Sequence, residues 1–188
     1  MEKKYVNVLL DNHPSLRKKS QAVDLPLNED DLHILEDLLH YVEDSQDETL
    51  REQYQLKAAS GLAAPQIGIN KQLFAILLEE EKDDDIIIHR YALANPKIIS
   101  HSEQKTYLTI GEGCLSVEED HLGFVPRYAR IRVNAYDMIQ NKEINLRASG
   151  YLAIVLQHEI DHLNGILFYD HINPEFPTME IPNAIAIE

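Results

Sequence analysis

Residues 151–165 constrain this chain more than any other stretch. Tyr151-Leu152-Ala153-Ile154-Val155-Leu156 is apolar, and Gln157-His158-Glu159-Ile160-Asp161-His162-Leu163-Asn164-Gly165 follows it directly. An apolar run leading into H-E-x-x-H predicts a buried helix with chemistry on one face. Positions four apart lie one turn above each other, so His158 and His162 can offer two imidazoles to one metal ion. Glu159 points to a neighbouring side, within reach of a water beside that ion. The helix is expected over about residues 148–164, with Ser149 as its cap and Gly165 as the left-handed residue that stops it.

Two histidines need a third ligand. A histidine six residues after His162 would complete one known zinc pattern, but Phe168 stands there. A later glutamate would complete another. Glu175 and Glu180 are available, yet they sit in a proline-rich tail rather than a helix. The remaining candidate is Cys114, the single cysteine, held in Gly111-Glu112-Gly113-Cys114-Leu115-Ser116. Glycine-flanked backbone is an odd place for a core cysteine, and a thiolate suits zinc or ferrous iron. Three protein ligands plus an open position is the pattern of a catalytic site.

The rest of the chain reads as an α+β fold. Residues 29–43 repeat apolar positions at helical spacing (Leu32, Leu35, Leu39, Val42), behind Asn28 as cap and Glu29, Asp30 and Asp31 in the first turn. Residues 44–54 read as a loop or a ragged extension of that helix. The small residues Ala58 to Ala64 then lead to Pro65-Gln66. Strands are expected at 73–78, 86–94, 97–100, 105–110, 130–137 and 142–146, with the acidic run 79–85 as an exposed, mobile loop and Asn95-Pro96 as a turn. The expected architecture is antiparallel or mixed β-sheet packed around the metal-binding helix, in a single domain over residues 1–188. A net charge of −15 argues against a nucleic-acid binder, which needs a basic patch. With no apolar signal region after Lys3-Lys4 and no span of roughly 20 apolar residues, a cytoplasmic protein is expected, without membrane contact.

Gly61-Leu62-Ala63-Ala64-Pro65-Gln66, Glu112-Gly113-Cys114-Leu115-Ser116 and Gln157-His158-Glu159-Ile160-Asp161-His162 together resemble the three signature motifs of peptide deformylase, in order and spacing. His13 to Arg17 and Leu167 to His171 resemble flanking family patterns. Gly123 to Arg127, Val117 and the strand-like tail resemble the longer, type II branch of Gram-positive bacteria. The resemblance implies hydrolysis of the N-formyl group from the initiator methionine of nascent chains, by a monomer acting at the ribosome without touching nucleic acid. It implies one divalent metal, ferrous iron by family habit, with zinc, nickel or cobalt fitting the same ligands Cys114, His158 and His162. Glu159 would be the acid–base residue. The Gln66 side-chain amide and the Leu115 backbone N–H would be donors to the formyl oxygen.

Around these, Ser60, Gly61, Glu112, Gly113 and Val155 are expected to touch substrate. Glu112 and Arg127 are expected to pair behind the Cys114 loop, and Asp161, placed on the far side of the helix, to support a neighbour. The chain departs from the family motif at Ala59 and Ser60, where glycine and a branched apolar residue are usual. That puts substrate affinity in question. Two other readings stay open: a different H-E-x-x-H metallopeptidase with Glu180 as third ligand, and a deformylase-like peptide binder of weak activity.

Overall fold

The computed structural model describes residues 5–82 and 85–188. Helix α1 (Glu29–Gln46) begins where Asn28 Oδ1 accepts the Asp31 N–H at 2.9 Å. A second helix, α2 (Glu48–Tyr54), follows at once, capped by Asp47 Oδ1 on the Leu50 N–H, so residues 44–54 are helical rather than loop. The strands are β1 (Gly61–Ala63), β2 (Leu73–Lys82), β3 (Asp85–His101), β4 (Lys105–Leu108), β5 (Arg127–Tyr128), β6 (Arg130–Asp137) and β7 (Lys142–Ser149). Helix α3 (Gly150–Leu163) and a last strand, β8 (Ile185–Ile187), complete the order. No helix among the described residues is long and apolar enough to cross a membrane.

Five strands form one antiparallel sheet in the order β1-β2-β3-β6-β7. Successive strand residues face opposite sides, and β2 shows why its sequence is an unbroken apolar run. Phe74, Ile76 and Leu78 pack into one core with Leu152 and Leu156 of α3. Leu73 and Ala75 pack into another with Leu35, Leu38, Leu39 and Val42 of α1. The sheet therefore has a helix on each face, and β2 is buried from both sides. A second sheet of three strands, β5-β4-β8, pairs β4 antiparallel with β5 and parallel with β8.

Three expectations change. Residues 79–82 belong to β2, because Glu79, Glu80 and Glu81 find partners in Ile88, Ile87 and Ile86; the middle of the expected loop, residues 83–84, lies outside the described residues. Asn95-Pro96 is a bulge inside one continuous strand β3 rather than a turn between two. Asn95 takes φ +52° there, and its amide exchanges two hydrogen bonds with the backbone of Val23 (2.9 and 2.8 Å), so the break in the ladder is still satisfied. Finally, Ala148 and Ser149 are strand: β7 runs to Ser149 and α3 starts at Gly150, with no side-chain cap from Ser149.

Candidate active site

α3 is buried nearly all round, as its apolar run requires, with Leu152 to Gln157, Glu159, His162 and Leu163 all inside. It stops at Gly165, whose φ is +73°. A Cβ there would lie 2.8 Å from the backbone carbon of Arg17, so both conformation and packing call for glycine. Gln157 ties the helix to β5 by two bonds to the backbone of Tyr128 (2.8 and 3.0 Å). That places Arg127, the neighbour of Tyr128, against the same helix.

Two loops meet at the helix, one carrying Gln66 and one carrying Cys114. The N-terminal segment fastens them together: the Leu9 N–H donates to Gln66 O and the Asp11 N–H to Ser116 O, each at 2.7 Å. Ser15 Oγ donates to Pro65 O at 2.8 Å. The Gln66 amide has a fixed sense. Its Oε1 accepts the Ala63 N–H at 2.9 Å, which turns Nε2 toward Ser116 Oγ (3.2 Å) and Cys114 Sγ (3.6 Å).

Cys114, His158 and His162 converge, with one donor atom from each lying within 4.8 Å of the others. Cys114 Sγ is 3.4 Å from His162 Nε2. His33, His40 and Glu175 are exposed, and Glu180 lies in the exposed tail beside a separate small cavity; among the described residues only the Cys114 triad forms such a cluster. Phe168 stacks on the His158 ring at 6.2 Å, an aromatic wall where the alternative motif would have a ligand.

Behind the triad stands an ion-pair network. Both carboxylate oxygens of Glu112 accept from Arg127, each at 2.8 Å, and Oε2 also meets His158 Nδ1 at 2.9 Å. This bond to Nδ1 leaves Nε2 of His158 to face the cluster. Arg127 also donates to Asp161, which in turn meets His171 Nε2 at 2.8 Å. Asp161 is therefore not across the helix from the ligands. Three residues on from His158 it has come round to within about 60° of it. Glu112 lines the cleft, but its carboxylate is committed to Arg127 and His158.

Electrostatics follow from this arrangement. Burial would raise the Glu112 carboxyl, but its bonds to Arg127 and His158 outweigh that and bring it down to about 2. Burial works against a charged His158, yet hydrogen bonds to Cys114 and Glu112 hold its pKa well above the ordinary value. His162 is pushed well below its ordinary value by burial and by the neighbouring charges of His158 and Arg127. Burial lifts Glu159 to about 7, as befits a carboxyl that must both take and give a proton near neutral pH. Glu159 Oε2 and His162 Nδ1 are buried without a hydrogen-bond partner among the described residues. A soft sulfur and two imidazole nitrogens within reach of one point, beside an unpartnered buried carboxylate oxygen, fit a divalent cation.

The triad, Glu159 and Gln66 open on a cleft of about 610 Å³, whose lining includes Ser60, Gly61, Gly113, Leu115 and Val155. Gly61 approaches Glu159 so closely that a Cβ would lie 2.7 Å from its Cδ. Gly113, in contrast, faces open space.

Residues 5–177 match the sequence profile of the polypeptide deformylase family. The chain belongs to the peptide deformylase family. Peptide deformylase 2 of Bacillus subtilis is 50% identical over 182 residues, 97% of each chain. The crystal structure of peptide deformylase from Thermus thermophilus superposes with a TM-score of 0.70 at 31% identity, covering 92% of this chain and 88% of that one. A Met-Ala-Ser-bound peptide deformylase from Acinetobacter baumannii gives 0.69 at 27% identity, covering 91% and 100%.

Within this deformylase fold, three contributors escaped sequence reading. Ser116 meets the Gln66 amide, His171 meets Asp161, and Tyr151 reaches across the cleft mouth to Ser60. Ser116, inside the cysteine motif, and His171, at the end of the flanking pattern after α3, carried a local signal; Tyr151 did not.

Proposed function

We propose that this chain removes the N-formyl group from the initiator N-formylmethionine of nascent polypeptides, as one catalytic domain spanning residues 1–188. The observation that carries the reading is the convergence of Cys114, His158 and His162 next to Glu159, with the Gln66 amide aimed at the same point. Cys114, His158 and His162 would hold the divalent cation, which would supply Lewis-acid chemistry and bring the pKa of a neighbouring water to about 7, as in zinc enzymes.

The chain's own groups do the rest. The Glu159 carboxylate takes the water's proton as the oxygen attacks the formyl carbon. Negative charge moves onto the formyl oxygen, where Gln66 Nε2 and the Leu115 N–H donate to it. Each such donor is worth about 10²–10³ in rate. The C–N bond then breaks, Glu159 returns the proton to the amine, and formate and the free N-terminus leave. Glu112 positions rather than reacts: it sets the His158 ring while Arg127 neutralises it. Gly61, Gly113 and Val155 shape the cleft for an extended peptide, and Met-Ala-Ser, the tripeptide held by the Acinetobacter relative, is the natural probe.

We assign ferrous iron as the native metal, a monomer as the working form, the cytoplasm as its place, and nascent chains at the ribosome as its substrates. A ferrous–thiolate site is oxidisable, so iron-loaded protein should lose activity in air faster than nickel-loaded protein, and equal decay would count against iron. The deciding assay is formyl-Met-Ala-Ser under anaerobic, iron-loaded conditions. Wild type should release amine and Glu159→Ala should lose about 10²–10⁴ in kcat. A metal-loaded wild type that releases none would refute the reading.

A further inference from the structure

On the cleft side of α3 the residues run Tyr151, Ile154, Val155, His158, the spacing of one helical face. The wall is apolar in the middle and ends in a hydroxyl. Across the mouth, Ser60 Oγ lies 3.1 Å from Tyr151 Oη. Two hydroxyls hold two protons, and their mutual bond uses one. Whichever group donates, the other's proton is left to be offered to a guest without breaking the pair.

The pair is close to the chemistry. Ser60 precedes Gly61, the residue pressed against Glu159, and adjacent Cα atoms are about 3.8 Å apart. In an N-formylmethionyl peptide the sulfur is only a few bonds from the nitrogen that carries the formyl group. A formyl carbon beside Glu159 puts that sulfur along Ile154 and Val155, toward the two hydroxyls. A thioether is a weak acceptor and has little use for the spare proton. A sulfoxide oxygen, which oxidation places on the same sulfur, is a good acceptor.

Resting on the deformylase reading, we propose that the Ser60–Tyr151 hydroxyl pair is a polar subsite for the initiator side chain, allowing this enzyme to deformylate chains that begin with N-formylmethionine sulfoxide. Tyr151 is 42% exposed, so what the pair adds over an all-apolar wall is one fixed hydrogen bond to the sulfoxide oxygen, worth a few-fold to about tenfold in kcat/KM. The apolar stretch is left for the methylene groups.

The test compares kcat/KM for formyl-Met-Ala-Ser, formyl-methionine sulfoxide-Ala-Ser and formyl-norleucine-Ala-Ser. The enzymes are metal-loaded wild type, the double variant Ser60→Ala/Tyr151→Phe, and Ser60→Thr, which keeps the hydroxyl. The readout is the ratio of sulfoxide to norleucine substrate, so a general loss of activity cancels. The ratio should fall several-fold, to about tenfold at most, in the double variant and hold in Ser60→Thr. An unchanged ratio in the double variant would overturn the subsite while the deformylase reading stands. Wild type that releases formate from no substrate would overturn that reading, and the subsite with it.

Discussion

At Gly61 a missing side chain sets the position of a carboxylate. The Glu159 Cδ lies 2.7 Å from where a Cβ would be, so Gly61→Ala must push Glu159 aside or open β1 from α3. A displacement near 1 Å at a reacting group costs about 10²-fold. Gly61→Ala should therefore lose roughly that factor in kcat, with metal content retained, as steady-state kinetics and elemental analysis would show. Gly113→Ala, facing open space, should act on KM instead. His158, His162 and Glu159 were legible in the sequence because helical spacing alone puts them on neighbouring faces. Cys114 became legible by elimination. The Ser60–Tyr151 and Asp161–His171 contacts were not, because each joins residues that no local period relates.

Elements meet through a few buried charges. Arg127 on β5 joins Glu112 of the cysteine loop to Asp161 of α3, and it is 3% exposed. Removing it strands a buried carboxylate, a loss of about 3–5 kcal/mol. Arg127→Ala should lower the thermal midpoint sharply, and metal affinity should drop about 10–100-fold as His158 loses its fixed partner. Arg127→Lys, a point charge in place of a fork, should recover only part of both.

The pair between Arg17 and Asp170, 2.5 Å, ties the turn after residue 13 to the turn that follows α3. Burial tends to raise Asp170, but the bonds from Arg17 and the Leu167 N–H win and lower it. A lowered carboxylate contributes stability above its unfolded pKa of about 3.9, and that is lost as pH falls through the folded value. Both side chains are more than a third exposed, so the pair is worth at most about 1 kcal/mol. Calorimetry should find Arg17→Ala slightly less stable than wild type at pH 7, with the gap closing as pH is lowered below about 4.

Long periodic elements were legible, and short or irregular ones were less so. α1 and β6–β7 appear where apolar spacing puts them. The β2–β3 hairpin hid because Glu79 to Glu81 resemble a solvated loop, and only pairing with Ile86 to Ile88 makes them strand. The Asn95-Pro96 bulge hid because the same dipeptide normally ends a strand; what keeps β3 continuous is a contact with Val23, far away in sequence.

At the scale of the molecule, both faces of the large sheet are covered, by α1 and by α3, and the site lies where the second sheet meets α3. That second sheet depends on β8. Thr106 Oγ1 donates to Ile185 O at 2.7 Å and the Thr109 N–H to Ile187 O at 2.8 Å. β4 ends at Leu108, which lines the cleft, and the chain runs on from there to Glu112 and Cys114. Deleting residues 184–188 should lower the thermal midpoint by several degrees, at about 2–4 °C per kcal/mol for a chain of this size. It should also raise KM for formyl-Met-Ala-Ser. A truncated enzyme equal to wild type in both measurements would show that β4 holds its place without β8.

The pairing of β4 with β8 also puts assembly on a schedule. Cys114, His158 and Glu159 leave a ribosome before residues 185–187 do. Until then β4 has a neighbour on one edge only, and the loop that carries the cysteine hangs from a strand with half its frame. The full frame of the cysteine loop thus waits for residues 185–187 rather than for the last catalytic group, and a chain still short of them carries its catalytic groups on a looser support.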